Sequence, residues 1–362
     1  MLPTSVSVKG IDLHTNRFNF SHLTTMDGKE KRASYDIRTD LEAFLKTLNP
    51  EDVVIMEAST NTFAFAHLIR PRVKKVHVIN ALDFKIIHDT KKKTDRIDAL
   101  KLARGGHYHE CVDPNHLPLV TIPDEKIMEL RSLFTTYKKA TAHITAILNR
   151  IHSILKGCLK PYNDLDIQGK RVRAEIKELE IGIAYKLQIQ MLYDEMDLLT
   201  KHKESLVEAI SEYAKYYIEE IKIIISISGI SILTALALKA DYIDISRFAN
   251  KKKFCSYLRT APKVDKSNQT TRILGLNKNS RKLSLSLVMQ GLSHFYRNNV
   301  SLTAYRNSKM KGKHITKVRI VMARKLLTIL YAMLIKKELY RDRDPHTYSK
   351  KLEVLEKLSI AA

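Results

Sequence analysis

Between residues 5 and 109 the apolar positions switch between a period of two and a period near 3.6, the mark of strands interleaved with helices. VSVKGIDL and RFNFSHLTT carry short alternating runs that suit two paired strands, and Asp27-Gly28 supplies a hairpin turn into a third, KRASYDIR. Thr39-Asp40-Leu41-Glu42 has the form of a capping box and predicts a short amphipathic helix through Leu48. DVVIME, residues 52–57, is almost continuously apolar, as expected of a central strand buried on both faces. A helix from about Thr60 to Ile69, a strand VKKVHVIN and a helix from about Thr94 to Gly105 complete the segment.

The pattern changes after Pro123. Ile127, Leu130, Phe134, Tyr137, Thr141, Ile144, Leu148, Ile151 and Leu155 recur at alternating spacings of three and four, a heptad seam that predicts a long helix with a packing partner. Lys156-Gly157 to Gly169 has the character of a hairpin between helices. A second helical stretch, about Val172 to Ile221, follows with a looser seam of Ile176, Leu179, Ile183, Leu187 and Met191. An antiparallel coiled coil is the expectation, within one chain or between subunits. From residue 222 the pattern is that of a helical globular domain. The predicted fold is therefore α/β plus α, with an α/β domain over 1–122, a coiled coil over 123–221 and a basic helical domain over 222–362. Three antiparallel strands followed by α/β alternation is the layout of an RNase H-like sheet, and the same pattern suits several other α/β folds.

Charge narrows the class. The 362 residues include 62 Lys plus Arg against 39 Asp plus Glu, a formal charge of +23. Such an excess in a chain that is 44% hydrophobic is the footprint of a folded polyanion binder. It is also uneven: from Arg247 to Pro345 there are 24 Lys plus Arg against 4 Asp plus Glu. Lys251, Lys252 and Lys253, and the stretch from Arg306 to Lys325 with Lys311, Lys313, Arg324 and Lys325, are the densest parts and the expected nucleic-acid contacts. Cys111, Cys158 and Cys255 show no CxxC or Cys/His ligand spacing, which excludes a disulfide scaffold and fits a reducing cytoplasm. No apolar segment marks a signal peptide at the N-terminus. The uncharged run Ile223 to Leu238 is too short for a span and predicts a buried helix–turn–helix. The expectation is a cytoplasmic, nucleoid-associated protein with no membrane contact.

Four carboxylates stand out. Asp12 sits at the end of the first predicted strand, Glu57 closes DVVIME, and Asp95 and Asp98 lie three apart on one helix face. Gathered together, they would cage hard divalent cations, of the kind that activate a nucleophile and stabilise a leaving oxygen at a phosphodiester. Lys91, Lys92, Lys93 and Arg96 flank the Asp pair and would draw in a phosphate backbone. The plainer alternative is that each acid caps a turn or pairs locally, Asp98 with Lys101 or Arg104.

GIDLHTNRF, IMEAST and KKKTDRIDALKLAR resemble the D-E-D-D motifs of the insertion-sequence-110 family of transposases, the bridge-RNA-guided recombinases. SISGISILTALALKADYIDISRFANKKKFCSYLRTAPKV resembles that family's helix-hairpin-helix-like stretch, and GKHITKVRIVMARKLLTILYAML its basic terminal helix. The likeness runs in order along nearly the whole chain. It implies an RNase H-like (RuvC-like) domain, Asp12, Glu57, Asp95 and Asp98 as ligands of two Mg2+ ions, and a serine nucleophile five residues after a Pro, here Ser267. It further implies a tetramer, DNA as substrate and an element-encoded guide RNA. The implied activity is DNA recombination through a phosphoserine. A Holliday-junction-type nuclease using water, and an inactive nucleic-acid-binding relative, are the alternatives. Asn268 stands where the family has Gly after the serine, Thr60-Asn61 replaces its Thr-Gly pair, and Asn279-Ser280 replaces a further glycine.

Overall fold

A computed structural model describes residues 6–24, 30–80, 95–160, 167–267, 270–276, 283–297 and 299–360, with backbone alone at 95–96, 262–267, 270–276 and 359–360. The chain divides after Asp124 into two compact units.

The first unit is built on a mixed sheet. Strands β1 (Val8–Leu13), β2 (Arg17–Leu23) and β3 (Lys31–Asp36) form an antiparallel meander, and β4 (Val53–Glu57) and β5 (Lys75–Ile79) run parallel to β1. With β6 (Leu119–Val120), which the sequence pattern did not suggest, the order is β3-β2-β1-β4-β5-β6. On one face Phe18, Phe20, Val54 and Met56 pack with Phe44 of α1 (Leu41–Leu45) and Phe65 of α2 (Thr62–Ile69). On the other face, Val8, Val53, Ile55 and Ile79 meet Leu102 of α3 (Asp95–Cys111). β1 and β4 are thus covered on both sides, which is why their sequences run apolar rather than alternating. The predicted capping box does not form. Asp40 takes the N-cap position instead of Thr39, its carboxylate accepts from the Asp36 amide, and the helix stops at Leu45. The Asp27-Gly28 turn lies outside the described residues.

Two features fix this unit internally. Lys9 is 3% exposed and Asp52 2%, and Lys9 Nζ sits 2.5 Å from Asp52 Oδ2 and donates to the Thr47 carbonyl. Ser7 Oγ and the Asn49 amide complete the carboxylate's partners, so the buried pair is fully hydrogen-bonded. The second feature is the closeness of α3 to the sheet. A Cβ on Gly10 would lie 2.1 Å from the Ala99 carbonyl oxygen and 2.5 Å from the Ala103 nitrogen, and one on Gly106 would lie 2.3 Å from Ile55. Only glycine permits that approach.

The second unit opens with α4 (Glu125–Gly157), followed by α5 (Lys170–Glu178) and α6 (Ile183–Glu212). α4 and α6 pack antiparallel within one chain: Glu129 meets Tyr213, Tyr137 meets Lys203 and His143 meets Glu195. Ile144, Ile147, Ile151 and Leu155 bury against Ile189, Tyr193 and Met196. The looser seam is corrected here. Ile183, Leu187 and Met191 are 87%, 62% and 63% exposed, because α6 turns Ile189, Tyr193 and Met196 toward α4.

Beyond α6, α7 (Ile218–Ile225) and α8 (Ile232–Tyr242) form the expected buried helix–turn–helix, with Ser231 capping α8. They share one core with α9 (Lys251–Tyr257), α10 (Leu283–Arg297), α11 (Val300–Met310), α12 (Ile315–Lys336) and α13 (Pro345–Ile360). This part is not wholly helical, as the pattern had suggested. β7 (Pro262–Ser267) and β8 (Thr270–Leu276) form an antiparallel hairpin. Among the described residues, no helix is long and apolar enough to cross a membrane.

Candidate active site

Strand alternation and register decide where the acids go. On β1, Val8 faces α3 and Ile11 faces away; on β4, Val53 and Ile55 face α3 while Val54 and Met56 face away. With a period of two, Asp12 and Glu57 both fall on the α3 face. The parallel register pairs Ile11 with Met56, so Asp12 and Glu57 come next as neighbours at the C-terminal ends of adjacent strands. α3 runs antiparallel to β1, since Ala99 and Ala103 lie on Gly10 while Gly106 lies toward Val8 and Ile55. Its first turn, with Asp95 and Asp98, therefore stands at the same end of the sheet.

The loop after β4 is tied to the loop after β1. Thr62 Oγ1 donates to the Glu57 carbonyl (2.7 Å) and accepts from the Ser59 amide (2.9 Å), and Asn61 Nδ2 donates to the His14 carbonyl (3.0 Å). Asn61 has φ −104°, so no glycine is required where this chain departs from the Thr-Gly pair. His14 Nε2 lies 3.3 Å from Asp12 Oδ2. Asp98 is 7% exposed and 3.3 Å from Lys101 Nζ, the local pairing its spacing had suggested. Asp95 opens α3 and Arg96 follows it, both placed by backbone alone; Lys91, Lys92 and Lys93 lie outside the described residues. The donors are all carboxylate oxygens, a set that fits hard divalent ions.

Ser267 is the last residue of β7 and pairs with Thr270, the first of β8. Asn268, Asn279 and Ser280 lie outside the described residues. The cations of the C-terminal part face outward. Lys251, Lys252 and Lys253 are exposed in the first turn of α9, where Asn250 accepts from the Lys252 and Lys253 amides. Lys311, Lys313 and Arg324 are exposed, and Lys325 is half-buried with its ammonium over the Tyr305 ring.

A profile described as Transposase, of the DEDD type of insertion sequence 110, matches residues 10–159, and one described as Transposase IS116/IS110/IS902 family matches residues 221–306. The chain belongs to this transposase family. The transposase is also similar to the curated "Transposase for insertion sequence element IS1111A" of Coxiella burnetii (strain RSA 493 / Nine Mile phase I), at 22% identity over 260 residues, 69% of this chain and 68% of that protein. As a DEDD transposase it acts on DNA and uses divalent metal.

One polar group of the transposase had no signature in the sequence. His77 of β5 meets His109 and Glu110 of α3, with one ligand atom of each within 4.8 Å of the others. No HxxxH or HExxH spacing announces it, because strand and helix are joined only by the fold.

Proposed function

We propose that this transposase cuts and rejoins DNA through a phosphoserine intermediate, guided by an RNA encoded in its element. The observation that carries the reading is the convergence of Asp12, Glu57 and the first turn of α3 at one end of the sheet. The order β3-β2-β1-β4-β5 supports an RNase H-like, RuvC-like domain over 1–122. Asp12, Glu57, Asp95 and Asp98 would hold two Mg2+ ions. When bound, these supply Lewis acidity at the scissile phosphate and at the departing oxygen.

The chain's own residues account for the rest. Ser267 Oγ bonds to phosphorus as the bond to the 3′ oxygen breaks, and the hydroxyl proton ends on that oxygen. The DNA 5′ end is left on the serine, and the reverse step rejoins strands without an external energy source. Lys251, Lys252, Lys253, Lys311, Lys313, Arg324 and Lys325, with Lys91, Lys92, Lys93 and Arg96, hold phosphate backbone of DNA and guide RNA. A coiled coil over 123–221 and the helical domain over 222–362 assemble a tetramer. The exposed run of Ile183, Leu187, Met191 and Leu198 along α6 supports such self-association.

A suicide DNA substrate tests the reading. Protein is expected on the DNA 5′ end, mapped to the peptide containing Ser267. Ser267→Ala is expected to lose adduct and strand exchange yet still bind DNA. Free 5′ phosphates, unchanged in Ser267→Ala, would mean that water attacks and the chain is a junction nuclease. An adduct on Ser280 would keep the chemistry and move the nucleophile. Absence of any metal-dependent cleavage would leave only a nucleic-acid binder.

A further inference from the structure

We infer that His77, His109 and Glu110 form a zinc-class metal site, separate from the four acids, that pins the C-terminal end of α3 to β5. The donors suit a borderline ion rather than magnesium: two imidazoles and one carboxylate, the His2Glu set that binds zinc with a fourth position left for water. His77 Nε2 and Glu110 Oε1 are 2.8 Å apart. Two ligands at zinc bond lengths in tetrahedral array stand roughly 3.3 Å apart, so a small outward rotation admits the ion. Lys75 Nζ holds the other oxygen, Oε2, at 2.8 Å and orients the carboxylate without occupying the binding atom.

His109 is the telling residue. It is 6% exposed, and its Nδ1 is buried with no hydrogen-bond partner among the described residues. An orphaned buried imidazole nitrogen is costly when nothing binds to it, so its place beside a second histidine and a carboxylate points to a ligand. The ionisation states agree. Burial, and then His77, lower the His109 pKa from its ordinary 6.5, keeping the ring neutral with a lone pair to donate. Burial pushes the Glu110 carboxyl up, but Lys75 and His77 together outweigh it and hold the group below its ordinary value, as a carboxylate. For an ion to bind at His77 Nε2, the proton on that nitrogen moves to Nδ1 of the same ring, so no net proton leaves the imidazole. Asp95 and Glu110 stand fifteen residues apart on one straight helix, about 22 Å by helical rise, so this ion shares nothing with the acid site.

The test uses the full chain without an affinity tag, stripped with chelator, dialysed against Zn2+ alone and assayed for metal content and melting temperature. About one equivalent per chain and a Tm raised by a few degrees are expected, with Co2+ giving the intense visible absorption of a tetrahedral site. His77→Ala and His109→Gln, each with native circular dichroism, are expected to fall below about 0.2 equivalents and lose the Tm shift. Wild-type protein that retains no Zn2+, or variants that retain as much as wild type, would overturn the site. The wild-type measurement decides even if a variant fails to fold. Because no step requires DNA cleavage, failure here leaves the recombinase reading untouched.

Discussion

Residues 1–124 carry eighteen Lys plus Arg against sixteen Asp plus Glu, whereas residues 247–345 carry 24 against 4. The first segment spends its cations on partners: Lys9 on Asp52, Lys75 on Glu110, Arg38 on Asp36. The second leaves Lys251, Lys252, Lys253, Lys311, Lys313 and Arg324 facing solvent. Charges neutralised inside a fold position atoms, and charges left at the surface attract a polyanion. On the proposed reading the metal-binding acids lie in the first segment and most of the exposed cations in the second, so cleavage and affinity are expected to respond to different substitutions.

The largest expected separation is chemical. Asp95→Asn or Glu57→Gln is expected to cut strand cleavage by roughly 10⁴-fold while DNA affinity stays within about threefold, measured by gel cleavage and filter binding. Equal losses in both assays would break the comparison. Next in size is the buried pair. Lys9→Ala strands the Asp52 carboxylate and is expected to destabilise the first unit by about 3–5 kcal/mol in urea unfolding, with the neutral Lys9→Met/Asp52→Asn double recovering at least half. DNA binding through the second unit should persist. The smallest effect is expected on the basic side. Replacing Lys251, Lys252 and Lys253 with Gln should weaken DNA binding about tenfold and lower the slope of log affinity against log salt by about two to three, with cleavage at saturating protein nearly unchanged. A salt slope identical to wild type would remove these lysines from the interface.

How legible each region was follows from the range of its interactions. β1 and β4 declared themselves through apolar runs, and a period of two was enough to set Asp12 and Glu57 on one face once the register was known. The four acids stood out because each lies in the last two residues of a strand or the first turn of a helix. The α6 seam misled because Ile183, Leu187 and Met191 have helical spacing whether or not the packed face is theirs. The β7–β8 hairpin was hidden by its polarity: PKVDKS and TTRILGL carry too many Lys, Arg and Thr to show a buried face. His77 and the His109-Glu110 pair lie more than thirty residues apart, and nothing short of the strand–helix packing brings them together.

Gly10 and Gly106 give the first unit something like an index pin. With no side chain at either position, α3 comes closer to β1 and to the Ile55 side chain than any Cβ would allow. The separation of carboxylates at the sheet's end is therefore set by two residues that carry no functional group. A methyl at Gly10 is expected to lift the helix and displace Asp95 and Asp98 together while leaving all four acids in the sequence. Inheritance of the D-E-D-D letters alone does not mark a working copy of such an element; the spacer beneath them must be inherited too.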